Sequence, residues 1–305
     1  MMERKTAKYR MMVWVVAAAA LGGGIPAFSK MALTVLSPFT FLFFRFVCAA
    51  AVLIPLFIRA KETIAKSDRI PLVLISLLGT GNVVFFAFGV RGTTAVSAQI
   101  LYGAVPVIAL TASVIALRAP LTIRSLAGVA AGLAGVVIIV FSPQMENTGP
   151  ASVSGALFGN VLVFFAVVSY SLYTVASKKA QNRYSPLLLT TIMVLTTLVL
   201  QSGLALTEAK SFQRMAASIN SSSVIGVVYV GVAGTAMYVL LYQHVIKKAD
   251  PVVASMTFYL QPVFSYIWAF FLLGEGLTLS LIAGAVLAFI GAGLVTRKKD
   301  VKQNA

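Results

Sequence analysis

The chain has 305 residues, a net charge of +16 and a mean hydropathy of +0.95, with only 10% charged residues. A composition this apolar excludes a water-soluble domain, because no soluble core of this size could hide so much apolar sequence. The positive charge does not indicate a nucleic-acid partner, since Lys and Arg are scattered as short flanks of apolar stretches, with no single patch and no RNA-binding motif.

Taken in order, the chain divides into ten apolar spans. A basic tail (Arg4, Lys5, Lys8, Arg10) precedes span one, residues 11–33. Its start resembles a signal peptide, but the apolar run continues past Gly22, Gly23 and Gly24 to Leu33, longer than an h-region, so a retained first helix is expected. The glycine run and Pro26 weaken this helix at mid-depth, where a hinge would be useful. Lys30 lies near the end of the span. Span two, 38–58, opens on Ser37-Pro38 and carries Arg45 and the lone Cys48. One cysteine permits no internal disulfide and no metal cluster, and it reads as small apolar filler. Arg59, Lys61, Lys66 and Arg69 follow.

Span three, 70–90, holds Asn82, and only Arg91 lies beyond it. Span four, 94–117, holds Gln99, Tyr102 and Pro106, and Arg118 and Arg124 come after it. Span five, 121–141, has Gly128, Gly132 and Gly135 on a small-residue face suited to close helix packing. Span six, 154–177, carries Tyr170 and Tyr173 and is followed by Lys178, Lys179 and Arg183. Span seven, 186–207, opens on Ser185-Pro186 and leads into the longest gap, about Glu208 to Ser223, which is polar and holds Lys210 and Arg214. Span eight, 222–246, carries Tyr238, Tyr242, Gln243 and the lone histidine His244, and is followed by Lys247 and Lys248. Span nine, 250–273, has Tyr259, Gln261 and Pro262. Span ten, 277–296, has Gly284 and Gly291 and precedes Arg297, Lys298, Lys299 and Lys302.

Nineteen of the 24 basic residues fall in one set of alternating gaps and tails, and three in the other. Basic loops stay in the cytoplasm during insertion, so both termini are expected there. Spans of about 20 residues cross a core of about 30 Å, and lipid offers no partner for an open backbone, so all ten are expected to be helical. No separate soluble domain fits anywhere.

The chain also repeats itself. Ser29-Lys30 matches Ser177-Lys178 and Pro38 matches Pro186, at a spacing of 148 residues. Pro106-Val107 matches Pro262-Val263, and Leu121-Thr122, Ala127-Gly128 and Gly135 match Leu277-Thr278, Ala283-Gly284 and Gly291, all at 156. Each half, 1–145 and 146–305, therefore holds five helices. Because five is odd, the second copy enters the membrane the other way up. The expected fold is an all-α polytopic membrane protein of ten transmembrane helices in two inverted five-helix repeats, an architecture in which mirror-related inward-open and outward-open states have similar energy.

At these residues the chain resembles the drug/metabolite transporter superfamily, in particular its EamA-type members. The resemblance lies in Gly22-Gly23-Gly24 with Phe28-Ser29-Lys30, the aromatic-flanked arginine in Phe43-Phe44-Arg45-Phe46, Ala104-Val105-Pro106-Val107, Leu260-Gln261-Pro262-Val263, Leu273-Gly274-Glu275-Gly276-Leu277 and the Gly-rich tenth span. The first repeat has Arg118-Ala119 where the second has Gly274-Glu275. The resemblance implies a secondary carrier, its family covering amino-acid exporters, sugar and nucleotide-sugar carriers and drug efflux proteins; a bacterial inner membrane is the expected location.

Lys30 and Arg45 are the two charges well inside spans, where a charge costs about 2.5–3.5 kcal/mol on insertion scales. Each either faces a cavity and attracts a substrate carboxylate or phosphate, or snorkels and caps carbonyls. All eight acidic residues (Glu3, Glu62, Asp68, Glu146, Glu208, Asp250, Glu275, Asp300) fall in tails, gaps or helix ends, so a membrane carboxylate that binds protons or cationic drugs has no seat. Glu275 is expected to cap the tenth helix or to pair near the outer surface. His244 either relays protons or bonds a neighbouring helix.

The candidate substrate-binding set is therefore Asn82, Gln99, Tyr102, Tyr173, Tyr238, Tyr242, Gln243, Tyr259 and Gln261, with Lys30 and Arg45, and Tyr170 belongs with the same polar and aromatic residues. Amide and phenol groups in hydrocarbon need partners, and a cavity lined by them suits a small zwitterion with an apolar side chain. Gly22, Gly23, Gly24, Pro26, Pro106 and Pro262 are the candidate hinges. Amino-acid export, aromatic ones included, is the expected activity; sugar, nucleoside or drug transport within the superfamily is the alternative, and a membrane-embedded enzyme a distant one, since one His, one Cys and no mid-span carboxylate assemble no catalytic set. No cofactor and no metal is expected. The expected partners are a small-molecule substrate and the lipid bilayer, with no nucleic acid, and no oligomeric state is implied.

Overall fold

Apolar side chains point into lipid as well as into the protein along most of the chain, so hydrogen bonding and close helix contact, rather than amphipathic patterning, position these helices. The structure, a computed structural model, describes residues 2–117, 123–145, 150–210, 213, 217, 219–248, 257–276 and 278–296. These residues are almost wholly helical. Span one is α1 (Met2–Gly23) and α2 (Ile25–Leu33), broken at Gly24. Span two is α3 (Pro38–Ala60) and span three α4 (Arg69–Gly92). Span four is α5 (Ala95–Leu101), a 3-10 turn Tyr102–Ala104 and α6 (Val105–Leu117). Spans five, six and seven are α7 (Ile123–Met145), α8 (Pro150–Ala180) and α9 (Pro186–Ala209). Span eight is α10 (Ser221–Val228), a π-helical stretch Tyr229–Met237 and α11 (Tyr238–Lys248); spans nine and ten are α12 (Thr257–Leu273) and α13 (Leu279–Thr296). Among the described residues seven of these segments are long and apolar enough to cross a membrane, and shorter apolar helices lie in α7, α12 and α13. The expected start of span nine, 250–256, and the pair Arg118-Ala119 lie outside the described residues.

Three features depart from the sequence reading. Helix α1 begins at Met2 rather than Met11, because Ala, Lys, Arg and Met are good helix formers and nothing stops the helix at the lipid boundary. Span four is interrupted just before Pro106, whereas α12 runs on through Pro262. Span eight carries the π-helical stretch, in which Thr235 Oγ1 donates to Val230 O at 2.7 Å, a detail that apolar periodicity does not reveal.

The inverted duplication is written in the hydrogen bonds. Helices α3 and α9 lie side by side and antiparallel. Glu208, at the end of α9, accepts from the N-terminus of α3 through Phe39 N at 3.0 Å, Thr40 N at 3.1 Å and Ser37 Oγ. Glu62, just past the end of α3, accepts from the start of α9 through Ser185 N at 2.8 Å and Ser185 Oγ. Each carboxylate thus meets the positive end of the other repeat's helix. Both helices end on a lysine in the left-handed region, Lys61 at φ 50° and Lys210 at φ 61°. Lys30 donates to Thr93 O at 2.9 Å, and its repeat mate Lys178 donates to Ile246 O at 2.8 Å, so spans one and six each bind the last carbonyls of spans three and eight.

Two glycine crossings complete the frame. A Cβ on Gly291 of α13 would stand 2.3 Å from Gly132 N and 2.5 Å from Gly128 O of α7, so only glycine allows this approach. The small-residue face read in span five therefore packs spans five and ten together at the periphery. The second crossing, Gly89 on α4 against Gly159 on α8, has the same character: a Cβ on Gly159 would lie 2.7 Å from Gly89 O.

Candidate functional site

A central cavity opens between spans one, two, three, four, six, seven, eight and nine. Its polar lining consists of Arg45, Asn82, Gln99, Tyr102, Tyr170, Tyr238 and Gln261; its apolar lining includes Ile25, Val83, Phe86, Met193, Val239 and Phe258, and Gly22, Pro26 and Gly234 approach it with backbone.

Several lining residues are related by the repeat. Gly22 and Tyr170, and Arg45 and Met193, are 148 residues apart; Tyr102 and Phe258 are 156 apart, with rings stacked at 6.2 Å. The cavity therefore lies on the pseudo-twofold axis, and each pair places unlike chemistry on its two sides. The apolar members carry no polar mark in the sequence. Adding the repeat spacing to Arg45 and Tyr102 leads directly to Met193 and Phe258.

The amides are tied across the halves. Gln99 Nε2 donates to Gln261 Oε1 at 2.8 Å, joining spans four and nine. Asn82 donates through its amide to Tyr102 Oη at 2.5 Å and to Ala166 O at 2.9 Å. Gln261 Nε2 is buried without a hydrogen-bond partner and stands against span one, where a Cβ on Gly22 would come within 2.3 Å of it. Gly23 packs equally closely on Phe264 and Gln261 O, and Gly24 on the Tyr229 ring. The glycine run thus lets span one lie against spans eight and nine; Gly24 itself has ordinary right-handed φ and ψ.

Arg45 is 4% exposed. Its Nε donates to Thr235 Oγ1 at 2.8 Å, in the π-helical stretch, and its guanidinium carbon lies 5.4 Å from the Phe46 ring centroid. Close contact with span eight depends on Gly231, where a Cβ would stand 2.6 Å from Arg45 O. Nη1 of Arg45 is buried and has no hydrogen-bond partner. Among the described residues the two ion pairs are Lys30–Glu275 and Arg183–Asp68, so Arg45 has no carboxylate partner.

The remaining candidates lie above and below the cavity. Lys30 does not line it. Its Nζ pairs with Glu275 Oε1 at 2.7 Å, and Glu275 also accepts from Ala95 N at 3.1 Å and Val96 N at 3.2 Å. Glu275 therefore caps α5 rather than the tenth helix. Gly274, at φ +66°, ends α12 with Gly274 N donating to Phe270 O at 3.1 Å and turns the chain so that Glu275 faces span four. At the opposite end Tyr173, Tyr242 and Gln243 form a buried floor. Gln243 Nε2 donates to Tyr173 Oη at 2.9 Å, Gln181 Nε2 donates to Gln243 O at 3.1 Å, and Tyr242 packs on Tyr170 at 5.6 Å and on Phe258 at 5.5 Å between ring centroids. Beside this end, the Tyr184 hydroxyl donates to Asp68 Oδ2 at 2.6 Å and holds that carboxyl below the usual carboxylate range. His244 packs on Trp14, with ring centroids 4.5 Å apart, away from the cavity. The side chain of Tyr259 lies outside the described residues.

A helical membrane protein built as two inverted halves around a central cavity has the architecture of secondary carriers. The EamA-like transporter family model matches the chain twice, over residues 9–141 and 157–297, and the protein belongs to that family. It is 28% identical over 283 residues to an uncharacterized transporter of Archaeoglobus fulgidus, covering 89% of this chain and 92% of that one. It is 26% identical over 280 residues to an uncharacterized transporter of Clostridium kluyveri, covering 88% and 86%. A solved crystal structure shares the fold at a TM-score of 0.64 with 18% identity, covering 92% of this chain and 96% of that one.

Proposed function

We propose that this transporter moves an amino acid with an apolar or aromatic side chain out of the cell by alternating access, and that it is not an enzyme. The observation that carries this reading is the cavity itself: neutral amides and phenols, one buried cation and no carboxylate face an apolar, aromatic wall. That lining suits a zwitterion with an apolar side chain and offers no counter-charge to a cationic drug. Arg45, Asn82, Gln99, Tyr102, Tyr238 and Gln261 hold the substrate. Lys30 closes one end through Glu275; Tyr173, Tyr242 and Gln243 close the other. The halves 1–145 and 146–305 rock about the α3–α9 pair, bending at Gly22–Gly24 with Pro26, near Pro106 and at Pro262. The basic flanks at the Lys178 end support a cytoplasmic position for that end and for both termini in a bacterial inner membrane.

Counterflow into proteoliposomes loaded with unlabelled L-phenylalanine tests the proposal. Labelled phenylalanine should accumulate, and leucine and tryptophan should compete where glucose and uridine do not. Competition by the sugar or the nucleoside alone would move the substrate class, and no counterflow of any of the five would remove the reading.

A further inference from the structure

The reading above names a class of cargo but gives it no orientation, and the unlike pair at the centre of the α3–α9 couple supplies one. Arg45 and Met193 stand at the same place in repeat-related antiparallel helices, each seven residues past its helix-opening proline. Each is thus about 10 Å in from its own end, and the two are separated by roughly 10 Å along the membrane normal. Both line the cavity.

The Arg45 end of this axis lacks an anion. Nε is occupied by Thr235, while Nη1 is buried and unpartnered. No acidic residue of the sequence falls mid-span, and among the described residues no carboxylate pairs with Arg45. Gln261 Nε2 is a second buried, unpartnered donor lining the same cavity. Towards the Met193 end the cavity is walled by aromatic rings, with Phe258 packed on Tyr170 at 5.8 Å between ring centroids. A thioether and aromatic rings accept an apolar or aromatic group without demanding hydrogen bonds.

Resting on the amino-acid reading, we infer that the cavity binds its cargo in one orientation, with the substrate carboxylate on the Arg45 guanidinium and the apolar side chain directed towards Met193. The carboxylate is the recognised group; the side chain is accepted by size and apolarity. A charge-assisted hydrogen bond in a buried site separates a carboxylic acid from its neutral amide by roughly tenfold or more.

The test uses purified full-length protein in nanodiscs, with binding of L-phenylalanine, L-phenylalaninamide and phenethylamine measured by thermal shift and titration. Wild type should bind the acid roughly tenfold or more tightly than either decarboxylated or amidated probe. Arg45→Gln should abolish that preference, Arg45→Lys should retain part of it, and Met193→Ala should weaken all three probes together while leaving the preference intact. Equal binding of acid and amide by wild type, which needs no variant, overturns the inference; so does an Arg45→Gln protein that still prefers the acid. If phenylalanine counterflow persists in wild type while either result is found, the carrier reading stands and only the anchor falls. If none of the probes binds and none is exchanged, both fall.

Discussion

In the first repeat Ser37 opens α3 and Glu62 follows its end; in the second, Ser185 opens α9 and Glu208 lies at its end, and the two pairs bond crosswise. Arg45 and Met193 occupy the same place in those two helices and share no chemistry. The rims of the molecule thus repeat one device, a carboxylate that accepts from the opening serine of the other repeat's helix, while its centre does not repeat. Repetition at the rims keeps two inverted halves equivalent in energy, as interchangeable states require. The departures from symmetry mark where a particular cargo is recognised and where one end closes differently from the other. Lys30 and Lys178 each bind a carbonyl at a helix end, and among the described residues Lys30 also meets a carboxylate, that of Glu275.

The comparison can be broken most severely at the scaffold. Gly291→Leu forces side-chain atoms into the backbone of α7 and should cost about 3 kcal/mol or more, seen as loss of monodisperse protein on size exclusion. At the centre, Arg45→Gln should leave the fold intact but reduce phenylalanine counterflow roughly tenfold or more. It removes a buried charge rather than stranding one, so its melting temperature should not fall. Lys30→Met should shift the balance of the two ends. It leaves Glu275 capping α5 alone and, because the pair is part-exposed, should lower stability by about 1 kcal/mol at most. Cavity residues should then label more readily from the Lys30 end, with little change at the other.

The smallest effects sharpen the symmetry. Glu62→Gln and Glu208→Gln should each cost about 1 kcal/mol or less, and by similar amounts, since each weakens the same cap in a different repeat. Unequal melting shifts would show that the two rims are not equivalent.

The ten spans, their alternation and the 148- and 156-residue spacings were legible in the sequence, because membrane length and duplication leave marks that need no partner to be seen. The cavity was half legible. Polar residues in apolar spans stand out, and Asn82, Gln99, Tyr102, Tyr238, Gln261 and Arg45 do meet around it. Lys30 looked similar by that criterion but lies at the rim, since depth along a helix does not say which neighbour a long side chain will reach. Of the two expectations for Glu275, a cap on the tenth helix or an ion pair, the pair with Lys30 is present, while the helix it caps is α5, 180 residues away in sequence, through a turn at the left-handed Gly274. The π-helical stretch left no sequence mark either, as it depends on Thr235 bonding to Val230 and on Gly231 meeting α3.

The inverted relation of the halves is tested most directly by sided labelling of a repeat-related pair. Thr34 and Asn182 are both exposed and 148 residues apart. In a Cys48→Ala background, Thr34→Cys should react with a membrane-impermeant maleimide only from the outer face of oriented vesicles, and Asn182→Cys only from the inner face. Reaction of both from the same face would contradict the inverted arrangement and, with it, the shared central cavity.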